Sequence, residues 1–216
     1  MNVPNSEITQ KNKHFFQQQI TSNSSFSQFS STYNYGLGKG MEIGLNVWML
    51  NLDHKTFRFS SSTIKKDEPI NPMIMINGAK QFLLNENQSL TFGTQLGTSF
   101  NYPTIKNGLG LIYFNYKLTD LFTSKSLLIV GSYYNSINYG GSGNRIGAWI
   151  GLDVPLSQKF CLMGETILGS NYISTSCLGF VYSPKPNLPL TFAMQIPNNI
   201  HTATSFVFEL TILPKK

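Results

Sequence analysis

The chain has 216 residues, a length that suits one barrel or one to two compact domains. Charged residues make up only 12% of it, against roughly 25% in soluble domains. Hydrophobic residues reach just 41%. A chain this poor in charge without being greasy disfavours a soluble all-β sandwich with a charged outer face. It suits strands that show lipid one face and water the other.

The formal net charge is +6 and the pI about 9.3. Lys39, Lys65, Lys66, Lys125, Lys159, Lys185, Lys215 and Lys216 all fall in expected turns, loops and tails. They read as solvated rims touching lipid phosphates. No basic stripe interleaved with exposed aromatics is present, so a nucleic-acid surface is not expected.

Along the chain, residues 1–12 carry no apolar run of the kind a secretory signal needs. They are read as an N-terminal periplasmic tail of a mature chain whose signal peptide has been removed. No later stretch approaches about 18 consecutive apolar residues, so no transmembrane helix is expected. Alternation at period two dominates from residue 13 onward. It predicts about twelve strands, near 13–21, 27–37, 41–51, 71–84, 89–100, 108–118, 125–137, 144–155, 159–168, 173–183, 188–196 and 202–213. The first strand and the break near Ser24 carry the weakest pattern, which leaves a ten-stranded alternative.

Several strands show which face is which. Met41, Ile43, Leu45, Val47 and Met49 oppose Glu42, Gly44, Asn46 and Trp48. Leu90, Phe92, Leu96 and Phe100 oppose Thr91, Gly93, Gln95, Gly97 and Ser99. Ile146, Ala148, Ile150, Leu152 and Val154 oppose Arg145, Gly147, Trp149, Gly151 and Asp153. Phe206, Phe208, Leu210 and Ile212 oppose Ser205, Val207, Glu209 and Thr211. The face opposite the apolar one is small and polar, as in a hydrated lumen, whereas a soluble sandwich would put Lys and Glu there.

Connections alternate between tight turns (38–40, 85–88, 119–124, 157–158, 185–187) and longer loops (51–71, 101–107, 138–143). Short turns on one side and long loops on the other are usual in outer-membrane barrels, and an even count puts both termini on the short-turn side. Tyr33, Tyr35, Tyr116 and Tyr182 fall near the turns, and Phe100, Tyr102, Tyr139 and Tyr172 near the loops, as two aromatic girdles would.

The predicted fold is therefore all-β: a closed antiparallel up-and-down transmembrane barrel over residues 13–213, with residues 214–216 as a C-terminal tail. The hairpin Tyr33-Asn34-Tyr35-Gly36-Leu37-Gly38-Lys39-Gly40-Met41-Glu42-Ile43-Gly44-Leu45 resembles one common in bacterial outer-membrane barrels. Cys161 to Asn171, and Gln195-Ile196-Pro197-Asn198 followed by Phe206-Val207-Phe208-Glu209-Leu210, resemble late strands of uncharacterised porin-like members. The resemblance implies an outer-membrane location and passive transport, and supplies no catalytic residue. One departure is the ending Leu213-Pro214-Lys215-Lys216, where many such proteins end on an aromatic residue.

Enzymatic chemistry is not expected. His14, His54 and His201 are the only histidines. Asp53 beside His54 is one acid–base neighbour pair in a loop, and serines near His201, such as Ser174 and Ser176, show no spacing that fixes a nucleophile, a base and an orienting group. Three histidines and two cysteines are too scattered for a metal site, and no cofactor is expected. The glycine-rich run 139–144 joins two strands, whereas a phosphate cradle needs a helix N-terminus. Cys161 and Cys177 lie on paired strands but are offset in register, so no disulfide is expected.

The candidate functional residues face the expected lumen: Glu42, Asn46, Trp48, Gln95, Lys117, Arg145, Trp149, Asp153, Glu165, Gln195 and Glu209. In an open barrel their charges would set ion selectivity; in a narrow one they would pair and fill it. The expected partners are outer-membrane lipid, small solutes or ions, and a protein partner at loop 51–71. The leading expectation is a small porin-like channel. A filled anchoring barrel is the alternative, and a soluble barrel for a hydrophobic ligand a more distant third.

Overall fold

Period-two alternation folds here into antiparallel ladders between sequence neighbours. The computed structural model describes residues 3–4, 7–60, 68–99, 108–200 and 202–214. Its elements are β1 (His14–Ser22), β2 (Phe26–Gly38), β3 (Met41–Asp53), β4 (Phe59–Ser60), β5 (Met73–Leu83), β6 (Gln88–Ser99), β7 (Leu109–Thr119), β8 (Leu127–Asn135), α1 (Ile137–Gly140), β9 (Ile146–Pro155), β10 (Phe160–Ile167), β11 (Thr175–Lys185), β12 (Leu188–Pro197) and β13 (Ser205–Ile212).

Each long strand pairs with the next, and β13 pairs back onto β1 from Phe16↔Ile212 to Ser22↔Phe206. Twelve strands close the barrel, while two-residue β4 only extends the loop after β3. Closure satisfies the backbone polar groups that an edge strand would leave open, a necessity in lipid. No helix among the described residues is long and apolar enough to cross a membrane.

The turns follow their residue chemistry. Lys39 and Gly40 both take positive φ in the tight β2–β3 hairpin, the conformation that two-residue hairpin loops favour. Asn23 closes the β1–β2 link, its side-chain oxygen accepting from the backbone amides of Ser25 and Phe26. Predicted and observed strand limits agree within three residues throughout. One expectation fails: Ile137–Gly140 forms a helical turn where the last residue of a strand and the start of a loop were expected. That turn is tied by Tyr139 and Gly140 amides donating to the Ser136 carbonyl.

Burial inverts the soluble pattern. Trp149 is 2% exposed, whereas its neighbour Ile150 is 42% exposed. Ile43, Leu45, Phe92, Ile112, Phe180 and Phe206 are likewise exposed on the outer surface. A free apolar surface of this extent needs lipid against it. The interior instead holds Thr91, Asn115, Glu165, Thr191, Glu209 and Thr211.

Two expected girdle residues turn inward. Tyr139 is fully buried, and Tyr172 packs against the inner cluster, because the loops carrying them fold over the mouth. Phe100 and Tyr102 lie outside the described residues.

Candidate functional site in the lumen

The lumen has two unlike walls. Strands β5–β10 contribute Met73, Met75, Leu111, Tyr113, Ile129, Tyr133, Trp149 and Ile167, which pack into one cluster inside the barrel. Trp149 stacks on Tyr133, centroids 5.1 Å apart at 15°, and meets Tyr113 at 5.9 Å. Its Nε1 donates to Asn115 Oδ1 over 2.6 Å.

Glycines on neighbouring strands make room for these rings. A Cβ on Gly93 would meet the Tyr113 ring at 2.1 Å, and one on Gly147 the Tyr133 ring at 2.4 Å. Here the lumen-facing glycines are the floor on which the next strand's aromatic lies.

The opposite wall, from β11 through β13 and β1 to β3, carries amides and hydroxyls. Gln17, Gln19, Ser30, Thr32, Asn34, Thr191 and Thr211 face a cavity of about 660 Å³, bounded on its far side by Leu111, Tyr113, Leu127 and Ile129 of the first wall. Thr119, Asp120, Lys125 and Leu213 also line it, so it reaches the short-turn mouth. A second cavity of about 70 Å³ lies toward the loops, among Asn23, Phe26, Tyr172, Ile173 and Thr202.

The two cavities meet at a waist of Gln19, Ser30, Trp48, Leu111 and Tyr139, which line both. Tyr139 there lies 5.5 Å from the Trp48 ring and donates its hydroxyl to Gln95 Oε1 over 3.1 Å. Burial pushes the Tyr139 hydroxyl well above its ordinary range, so it stays a neutral donor. Burial raises Tyr172 as well, with Glu68 adding to the effect. The α1 turn is held from both sides, by the Ile70 amide on Asn138 O and the Tyr172 amide on Gly140 O.

The sequence-predicted residues fall into distinct places. Glu42, Asn46, Trp48, Gln95, Asp153 and Glu209 line the larger cavity, while Trp48, Trp149 and Gln195 line the smaller. Asn46 Oδ1 accepts from Asn77 Nδ2 at 2.8 Å. Glu165 is buried and accepts the Val3 amide at 3.2 Å. Lys117 pairs with Glu7 at 3.6 Å. Arg145 departs from the rest: it is exposed and lines neither cavity, because it lies at the loop end, just before β9 begins at Ile146.

Of the 1–12 segment, expected as a periplasmic tail, Val3, Pro4, Glu7 and Thr9 line the larger cavity, with Val3 and Thr9 buried, while Gln10, Lys11 and Asn12 are exposed. Nothing in their sequence signals this. Asn115 and Tyr113 were also missed, although their alternation within β7 marks them as inward. On β1 the Gln17-Gln18-Gln19 run hides which glutamines face in.

The chemical alternatives resolve locally. Asp53 Oδ1 accepts from the Lys55 and Thr56 amides, closing its own turn, while His54 Nε2 meets Ser27 Oγ at 2.9 Å. Ser174 donates to Asn171 and Ser176 to Asn198, both tying loop structure. His201 lies outside the described residues. Cys161 and Cys177 are free thiols, facing Val181 and Glu165 across the β10–β11 ladder. Among the described residues no group of His, Cys, Asp and Glu gathers as metal ligands.

Apolar outside, polar and partly hollow inside, closed without an edge: these features define a membrane-type β-barrel. The solved structures it resembles are of that class. The KdgM porin superposes with a TM-score of 0.65 at 8% identity, covering 92% of this chain and 98% of that one. A further KdgM structure, in complex with disordered oligogalacturonate, gives 0.64 at the same identity and coverage. The NanC porin gives 0.61 at 10% identity, covering 94% and 100%. The Ralstonia pickettii toluene transporter TbuX gives 0.51 at 7% identity, covering 95% and 90%. No protein-family profile and no curated relative matches the chain. At these identities the likeness is one of fold, and it agrees with the porin-like resemblance read from the hairpins.

Proposed function

We propose that this chain is a passive channel of the bacterial outer membrane for ions or small hydrophilic solutes. The observation that carries the reading is the cavity of about 660 Å³ between the amide- and hydroxyl-bearing wall and Leu111, Tyr113, Leu127 and Ile129 of the packed one, which reaches the short-turn mouth and continues to the waist. Such a lining exchanges hydrogen bonds with a passing hydrated solute without holding it tightly. The sign of the lining narrows the solute. Glu42, Asp120, Asp153 and Glu209 face the cavity against Lys125. Oligogalacturonate, the ligand named for the KdgM complex, is acidic and suits this lining poorly. Cations and neutral polyhydroxylated solutes suit it better.

Planar-bilayer recording across a salt gradient tests both parts. Discrete steps with a cation-favouring reversal potential are expected. Steps of opposite preference would overturn the solute class, and no steps at all would remove the channel.

A second reading, a filled barrel that anchors a partner-binding loop, draws support from the Trp48–Tyr139 waist and the packed aromatic wall. In that reading loop 51–71 makes the contact; residues 51–53 belong to β3, and 61–67 lie outside the described residues. Loss of partner binding on deleting residues 54–60, with no conduction from the intact protein, would favour it. The soluble reading conflicts with the apolar outer face, and extraction only by detergent would dispose of it.

A further inference from the structure

We propose that the segment preceding β1 is a built-in plug of the lumen, held by the barrel wall and removable without dismantling the barrel. The inference rests on the channel reading above.

The chain path comes first. At the short-turn mouth the Lys13 amide donates to Gln10 O and the Asn12 amide to Gly36 O, reversing the direction of the chain. Gly36 permits this close approach: a Cβ there would lie 2.0 Å from Gln10 O and 2.3 Å from Thr9 O. From that point the segment runs into the lumen rather than away from it.

Three strands far apart around the barrel then hold it. On β3, Glu42 Oε2 accepts both the Thr9 amide at 2.8 Å and the Thr9 hydroxyl at 2.7 Å. On β7, Asn115 Nδ2 donates to the Pro4 carbonyl at 3.0 Å, and Lys117 meets Glu7. On β10, Glu165 Oε2 accepts the Val3 amide at 3.2 Å. Glu42 and Glu165 are buried, and hydrogen bonds to a carboxylate away from bulk water are the stronger sort.

The described residues of the segment therefore reach strands on both sides of the lumen, from β3 through β7 to β10. Val3, Pro4, Glu7 and Thr9 form part of the lining of the large cavity itself. What it occupies is cross-section that a solute would otherwise use. Its described residues add one isolated bridge, Lys11 to Gly36 on β2, and the twelve-strand ladder closes through β1 and β13 without them.

The test compares three proteins in planar bilayers: the full chain, a chain starting at Gln10, and Thr9→Pro, which removes both donors to Glu42. A heat-modifiable gel shift checks that each is folded. The expected result is single-channel conductance, or open time, raised roughly twofold or more in both variants. Should the shortened chain lose its gel shift, Thr9→Pro decides. Conductance and open time equal to those of the full chain overturn the plug while leaving the channel standing. Silence from the full chain but steps from a variant support the plug in its strongest form. Silence from all three removes the channel reading, and the plug with it.

Discussion

The wall made by β5–β10 and the wall made by β11–β13 with β1–β3 enclose the same lumen but handle it differently. On the first, Tyr113, Tyr133 and Trp149 lie over glycines of the adjoining strands and fill space, as a protein core does. On the second, Gln17, Thr32, Asn34 and Thr191 leave space and line it with hydrogen-bonding groups. The inside of a small barrel thus need not be uniform. One side stabilises the closed cylinder, and the other remains available for passage.

Substitutions can break this contrast, and the largest effect is expected on the packed side. Trp149→Ala removes a buried ring, its stacking on Tyr133 and the donor to Asn115. A loss of about 3–5 kcal/mol is expected in detergent-micelle unfolding followed by circular dichroism. On the outer surface, Val130→Arg places a charge against lipid. Its expected cost is about 2–4 kcal/mol if Val130 sits near the bilayer midplane, read as reduced refolding yield and a lower unfolding midpoint.

Gly93→Ala is the next step down. The added methyl would meet the Tyr113 ring, and displacing it should cost about 1–3 kcal/mol by the same unfolding measurement. The smallest effect on stability belongs to the open side. Thr32→Ala should stay within about 0.5 kcal/mol, yet alter single-channel conductance. If Thr32→Ala were as damaging as Gly93→Ala, the distinction between a packed and an open wall would be lost.

Much of this architecture was legible in the sequence for a physical reason. A strand in a membrane barrel must alternate lipid-facing and lumen-facing residues, so Ile43/Gly44, Phe92/Gly93 and Ile150/Gly151 declare both period and polarity. The barrel followed from which face is polar and the strand number from the period-two runs, and the alternation of short turns with long loops agreed with an even count. The division of the lumen into two walls was not legible, because it depends on which strands become neighbours across the cylinder.

The inward placement of Val3, Pro4, Glu7 and Thr9 left no trace either. Backbone amides bound to Glu42 and Glu165 need no special side chains, and Thr9 and Val3 look like any tail. Glu42 and Glu165 were recognisable as inward charges, but their partners lie 33 and 162 residues away in the chain. Tyr139 misled for a related reason. An aromatic near a strand end suits a girdle as well as a waist, and the α1 turn that swings it inward carries no sequence signal of its own.

The most direct test of the central claim uses a variant with both native cysteines replaced and Thr32→Cys introduced on the open wall. Its single-channel steps are recorded before and after a charged, membrane-impermeant thiol reagent. The structure predicts discrete steps that the reagent reduces or blocks, with no such effect on the cysteine-free parent. Steps that ignore the reagent, or no steps before it is added, would contradict a water-filled path along the polar wall.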